Sequence, residues 1–201
     1  MSSETEISNM AISHLGVGKE IADLDTETSA EAKACRRFYD IARDTVLRDF
    51  EWPFATKIAS LGLVESDPNT EWDYSYRYPS DCITLRRILS GVRQDTLDSK
   101  VPYKIAQDSS GRLIFSDEEN ASVEYTVKVT DPAKYTPDFT LALSYRLAVY
   151  IAPRVTRGDP FKLMEKAMGM YMDIIGDAKA NAYNEEQDDV KPESEFIRAR
   201  D

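Results

Sequence analysis

Carboxylates are the commonest side chains in this sequence that could take part in catalysis. Asp and Glu together account for 36 of the 201 residues. Asp81 and the adjacent Glu118 and Glu119 could supply the two carboxylates of a glycosidase, one as general acid and the other as base or nucleophile. That mechanism depends on the separation between the two carboxyl groups, which a sequence does not give. A cell-wall-degrading hydrolase that uses paired carboxylates, alone or as a second activity, is therefore the alternative function.

Other catalytic and metal-binding groups are scarce. His14 is the only histidine, which excludes multi-histidine metal sites and leaves little room for a Ser-His or Cys-His nucleophile pair. The only cysteines, Cys35 and Cys82, lie far apart, unlike those of a metal knuckle or a disulfide-rich secreted protein. We therefore predict a protein that is not an enzyme and has no catalytic residue, cofactor or metal.

The distribution of charge restricts the partners. The net charge is −11, and the last 19 residues, 183–201, carry seven acids and three bases. Tight DNA binding is not expected, because it relies on lysine and arginine replacing the counterions of the phosphates. An acidic regulatory or DNA-mimic protein that binds a basic host protein is a third possibility. No apolar run approaches the roughly 20 residues of a membrane span, and the acidic N-terminus does not resemble a signal peptide.

Helical periodicity marks both ends of the chain. A short helix is predicted over residues 3–14, with Ser3 as its cap, and a longer amphipathic helix begins at Thr28 and stops before Pro53. Two further apolar stripes follow Pro137: one helix bounded by Pro153, and another that starts at Pro160 and continues to about residue 182. Residues 184–201 are acidic and lack periodicity, so we expect an arm that is disordered when alone.

Strand-like alternation fills the middle of the chain. The aromatic residues of 72–78 fall on one face of a predicted strand. Further extended segments are predicted at 83–89 and 123–129, and a hairpin joins 103–106 to 113–115.

The predicted fold class is α+β, with an antiparallel bundle of about four helices, a β-rich insertion and an extended C-terminal arm. The predicted divisions are bundle helices 1 and 2 in residues 1–53, the insertion in 54–136, bundle helices 3 and 4 in 137–183, and the arm in 184–201.

Two blocks of the sequence resemble a known family. In the first, a short helix ends in Leu15 and Gly16, a loop carries Ile21 and Leu24, a helix carries Ala34 and Cys35, and Trp-Pro-Phe-Ala closes the block at residues 52–55. The second is YRYPSDCITLRRI, residues 76–88. Both resemble the head-to-tail adaptor family of short-tailed bacteriophages, also called tail tubular protein A or tail accessory protein.

This resemblance implies a structural role in a virion. Members of the family form rings, and the resemblance implies twelve copies beneath a dodecameric portal, with the bundle facing the portal and the insertion facing the tail nozzle or knob protein. Assembly would take place in the host cytoplasm, and the product would lie at the head-to-tail junction of the virion. DNA would pass through the channel without specific binding, because an acidic subunit repels its backbone.

The candidate partner-binding residues lie in the arm and between the last two helices. In the arm, Phe196 and Ile197 are apolar anchors in a charged segment. The full arm set is Glu193, Glu195, Phe196, Ile197, Arg198 and Arg200. Arg154 and Arg157, with Lys162 nearby, either contact acidic neighbours in a ring or complement the dipole at a helix C-terminus; the sequence leaves both alternatives open.

Overall fold

The computed structural model describes residues 3–92, 99–156 and 158–185. The helices are α1 (Glu4–His14), α2 (Ala30–Asp49), α3 (Pro137–Val155) and α4 (Pro160–Glu185). The strands are β1 (Thr56–Ser60), β2 (Leu63–Asn69), β3 (Trp72–Arg77), β4 (Cys82–Ile88), β5 (Lys104–Asp108), β6 (Gly111–Ser116) and β7 (Ser122–Val127). Short 3₁₀ turns at Pro53–Ala55 and Pro132–Lys134 connect the helices to the strands.

Side-chain caps fix where the first two helices begin. Ser3 accepts a hydrogen bond from the Glu6 backbone N–H, and the Glu6 carboxylate accepts one from the Ser3 N–H, which completes the predicted capping box. α2 is capped by Ser29, whose hydroxyl accepts from the Ala32 N–H at 3.2 Å. The predicted start at Thr28 was therefore one residue early, because the serine has the capping geometry.

The central helix is α3, which contacts α1, α2 and α4. Its buried residues lie on several sides of the helix, as its broad apolar surface predicts. α3 also continues through Pro153 to Val155, although the sequence predicted that Pro153 would end it. A proline this close to the C-terminus removes one backbone hydrogen bond and leaves the rest of the helix intact.

The strands form two antiparallel sheets. β7 lies between β1 and β4 in a three-stranded sheet, and the other sheet has the order β2-β3-β6-β5. The strands predicted at 72–78 and 83–89, the hairpin and the last strand correspond to β3, β4, β5–β6 and β7. β1 and β2 were not predicted, because most of their residues are exposed and no apolar alternation marks them.

The predicted antiparallel bundle with a β-rich insertion is wrong, although the structure is α+β. The strands between Thr56 and Val127 form the two sheets, which bury a cluster of their own. Its buried members are Tyr76, Leu85, Ile88, Ile114, Ala121, Val123 and Tyr125. The helices pack on α3 and bury a separate cluster, and α1, at 11 residues, contacts mainly α3. The sheets thus have a buried cluster distinct from that of the helices, and Val127 of β7 packs against both clusters.

Within the described residues, no helix is both long and apolar enough to cross a membrane. The arm predicted over residues 184–201 lies almost wholly outside them, and α4 extends to Glu185.

Candidate functional site

A basic groove lies between the start of α2 and the end of α3. It is open to solvent and has a volume of about 540 Å³. Its lining residues are Ala30, Lys33, Ala34, Arg36, Arg37 and Arg154. Four cations therefore share one groove on a chain whose net charge is −11, and we call this surface the basic groove.

Helix packing assembles these cations from two distant parts of the sequence. Lys33, Arg36 and Arg37 are spaced three and four residues apart, so they lie on one face of α2. α3 runs antiparallel to α2, and Phe38 of α2 stacks on Tyr150 of α3 with the ring centroids 5.9 Å apart. One turn after Tyr150, the Arg154 guanidinium lies over the Phe38 ring.

The four cations do not have the same role. Arg36 is half-buried, and its Nη1 donates hydrogen bonds to the carbonyls of Leu24 at 2.6 Å and Asp25 at 2.7 Å, which fastens the preceding loop to α2. Lys33, Arg37 and Arg154 are exposed. Among the carboxylates of the described residues, none forms an ion pair with these three side chains. Such a groove can bind carboxylates or other anions of a partner.

Only part of the predicted partner site is present here. Arg154 lies in the basic groove, whereas Lys162 is exposed on α4 and does not line it. Arg157 and the arm residues Glu193, Glu195, Phe196, Ile197, Arg198 and Arg200 lie outside the described residues. The sequence analysis did not identify Lys33, Arg36 or Arg37 as candidate binding residues. The helical spacing of these three residues was the signal that could have identified a shared basic face.

A second candidate surface is an apolar edge of the sheets. β1 and β2 are edge strands of different sheets and follow each other in the chain. On these two strands, Ile58, Leu63 and Val64 are 61%, 56% and 44% exposed. Exposed apolar side chains on an edge strand are typical of sites that pair with another chain.

The opposite edge of the four-stranded sheet carries another exposed apolar residue. Leu63 pairs with Tyr76, Tyr76 with Ile114, and Ile114 with Ile105 of β5, so these four residues form one row across the sheet. Tyr76 and Ile114 in the middle are buried, and Ile105 at the far end is 48% exposed. The row therefore ends in an exposed apolar side chain at each edge strand, and these two side chains lie on the same face of the sheet because paired residues share a face.

The first of the candidate catalytic carboxylates is tied into an ion pair. Asp81 Oδ2 lies 2.6 Å from Lys57 Nζ, and its Oδ1 accepts a hydrogen bond from the Tyr125 hydroxyl at 2.9 Å. The hydrogen bond from Lys57 holds the pKa of Asp81 below its ordinary value, and the Tyr125 hydroxyl adds to this effect. A general acid of a glycosidase needs a raised pKa, the opposite of what this environment produces.

The structure does not bring Asp81 together with Glu118 and Glu119. The Asp81 carbonyl accepts from the Lys128 N–H, just beyond the C-terminal end of β7. Glu118 and Glu119 lie in the exposed turn that precedes β7. β7 spans six residues, so about 17 Å of strand lies between the two positions. Paired carboxylates of glycosidases are no more than about 9.5 Å apart.

Metal ligands are also dispersed in the part of the chain that the structure describes, where no cluster of three or more His, Cys, Asp or Glu side chains could hold an ion.

No family model matches the chain, and no curated protein matches it.

Proposed function

We propose that this chain is a structural head-to-tail adaptor of a bacteriophage virion. In this proposal, its copies form a ring beneath the portal, extend the DNA channel and provide the platform for the tail. The observation that carries the proposal is the exposed apolar residue at each edge of the four-stranded sheet, because a ring forms when one surface of each subunit contacts a different surface of the next. Leu63 and Ile105 lie at those two edges.

The two sequence blocks that resemble the adaptor family support this proposal. Their matching residues are mostly core residues: Leu15, Ile21, Leu24, Ala34, Cys35, Trp52 and Ala55 are all buried. Trp52 packs edge-on against Phe139 of α3 with the ring centroids 5.1 Å apart, and its Nε1 donates to the Val46 carbonyl at 2.8 Å. Core residues of this kind determine how a chain folds, so their similarity favours a common architecture.

The charge of the subunit suits a DNA conduit. Each copy carries a net charge of −11, so a closed ring would surround its channel with acidic protein. Such a lining repels the phosphate backbone, and DNA passes through without specific binding.

The portal protein and the tail nozzle or knob protein are the proposed partners above and below the ring. The arm is assigned to the portal because Phe196 and Ile197 supply apolar anchors and Arg198 and Arg200 flank them with positive charge. A segment that becomes ordered only on its partner can couple ring assembly to the presence of the portal.

Deletion of residues 184–201 tests this assignment. Among the described residues, those buried in the helical core all precede residue 184, so the truncated chain should keep its helical circular dichroism and its free energy of unfolding. Its affinity for portal rings of the same virus should fall by about tenfold or more, because the anchors are lost. The variant Phe196→Ser, Ile197→Ser should reproduce most of this loss in a chain of full length. Undiminished portal binding by the truncated chain would contradict the proposal.

A further inference from the structure

The C-terminal sequence contains a segment complementary in charge to the basic groove. Glu185, Glu186, Asp188 and Asp189 place four acids within five residues, and we call residues 185–189 the acidic segment. The groove presents Lys33, Arg37 and Arg154 to solvent without a carboxylate partner among the described residues. Opposite charges of this density attract each other at low salt.

The groove and the C-terminal end of α4 lie at opposite ends of the α3–α4 hairpin. Arg146 of α3 donates through Nη1 to Met168 Sδ at 3.2 Å and lies over the Tyr171 ring of α4, so the two helices pack antiparallel. The groove is at the end of α3, beside the start of α4. The 26 residues of α4 span about 39 Å, so its last residue, Glu185, is far from the groove.

The acidic segment therefore cannot enter the groove of its own chain. Asp189 is four residues beyond Glu185, and a fully extended chain spans at most about 14 Å over four residues. That reach is less than half the length of α4. A copy whose groove is filled by this segment must receive it from another copy.

We propose that the acidic segment of one copy binds in the basic groove of a second copy. Donor and acceptor are different surfaces at different ends of the subunit, so the contact is head-to-tail and can be repeated from copy to copy. Guanidinium and ammonium groups of the groove pair with the four carboxylates in charge-assisted hydrogen bonds. Arg36 remains bound to the loop and contributes long-range attraction.

With this contact, residues 185–189 and residues 193–201 bind different partners. Residues 185–189 bind the neighbouring copy, and residues 193–201 stay available for the portal, with Lys191 and Pro192 between them. Within the proposed ring the carboxylates would neutralise the groove, so its cations would not hold passing DNA. This last consequence rests on the proposed function, whereas binding between copies does not.

A peptide titration measures the contact directly. A fluorescein-labelled peptide of residues 184–192 is titrated with the full chain at low ionic strength and followed by fluorescence anisotropy. Saturable binding is expected, weakening as salt is added. The variant Lys33→Glu, Arg37→Glu, Arg154→Glu should bind the peptide about tenfold or more weakly, since it loses three charge pairs and gains repulsion. A peptide with lysine in place of the four acids should instead prefer this variant to the wild type.

A matched control separates the groove from general charge. The variant Arg48→Glu, Lys134→Glu, Lys179→Glu changes the net charge by the same amount at three exposed positions outside the groove. It should keep peptide affinity within about twofold of the wild type, because these charges are remote and screened. Absence of binding, or equal losses in the two variants, overturns the proposal. It is also overturned if groove reversal abolishes portal binding but leaves peptide binding unchanged, because the portal is then the occupant.

Discussion

The guanidinium carbon of Arg154 lies 5.7 Å from the centre of the Phe38 ring. This contact joins the last turn of α3 to α2, and it holds the Arg154 side chain at the wall of the basic groove. An arginine without a carboxylate partner usually samples many rotamers, and stacking on a ring restricts it. Phe38 thus orients a candidate binding residue as well as packing against the helical core.

A double-mutant cycle measures this coupling. Phe38→Leu and Arg154→Ala should each lower the free energy of unfolding, and together they should lower it by about 0.5–1 kcal/mol less than the sum of the two. Urea unfolding of the four proteins gives the coupling energy. Arg37→Ala combined with Phe38→Leu is the control, and the two effects should add there. Additive effects of the Arg154 and Phe38 substitutions would show that the contact does not contribute to the free energy of unfolding.

The sheet core is tested by removing one hydroxyl. The Tyr76 hydroxyl donates to the Glu118 carbonyl at 2.6 Å and accepts from the Ala121 N–H at 3.4 Å, in a side chain that is only 1% exposed. Tyr76→Phe leaves both backbone groups without this partner and should cost about 1–2 kcal/mol in unfolding free energy. Tyr74→Phe in the same strand is the matched control and should be close to neutral. Equal effects of the two substitutions would contradict the role of this hydrogen bond.

His14 should make stability depend on pH. Its ring stacks on Tyr145 at a centroid distance of 3.7 Å, its Nε2 lies 3.0 Å from Ser144 Oγ, and burial lowers its pKa. As the pH falls, the imidazole of the unfolded chain is therefore protonated at a higher pH than that of the folded chain. The contribution of neutral His14 to the free energy of unfolding is fully present above the unfolded pKa of about 6.5, and it is lost as the pH falls below that value. Relative to His14→Gln, the wild type should lose stability between about pH 7 and about pH 5. Parallel pH profiles of the two proteins in chemical denaturation would contradict this.

The apolar edge should matter for assembly and little for folding. Ile58→Lys combined with Leu63→Lys replaces exposed side chains on edge strands, so the free energy of unfolding should change by no more than about 0.5 kcal/mol per site. Ring formation on the portal should be lost, because Leu63 lies at a proposed contact edge and its replacement would bury a charge between copies. Met172→Lys is the control, an exposed apolar residue on α4 that should assemble normally. Normal rings from the double lysine variant would exclude this edge as the contact.

The sequence predicted individual elements better than their arrangement. The apolar stripes located the helices, since periodicity shows which face of a helix is buried. Periodicity does not show what covers the buried face. The four stripes were therefore assigned to one four-helix bundle, whereas in the structure the other three helices pack on α3. β1 and β2 escaped prediction for a related reason: Leu63 and Val64 are consecutive and both exposed, which gives no alternation to detect.

The candidate site was predictable only in part. Arg154 was a candidate because it forms a basic cluster in the sequence with Arg157 and Lys162, between the last two predicted helices. Its neighbours Lys33, Arg36 and Arg37 come from a helix more than 100 residues earlier, and a single sequence contains no distance between them. The sequence also did not show that the Asp81 carboxylate is paired with Lys57 and hydrogen-bonded to Tyr125.

Electron microscopy of the full chain mixed with portal rings of the same virus tests whether the chain assembles as a ring adaptor. We expect a second ring of this protein beneath each portal, with its channel aligned with that of the portal and with α4 and the C-terminal segment at the portal side. Portal rings that remain bare at concentrations well above those of assembly in the host, or that bind the chain without rotational order, would contradict this expectation.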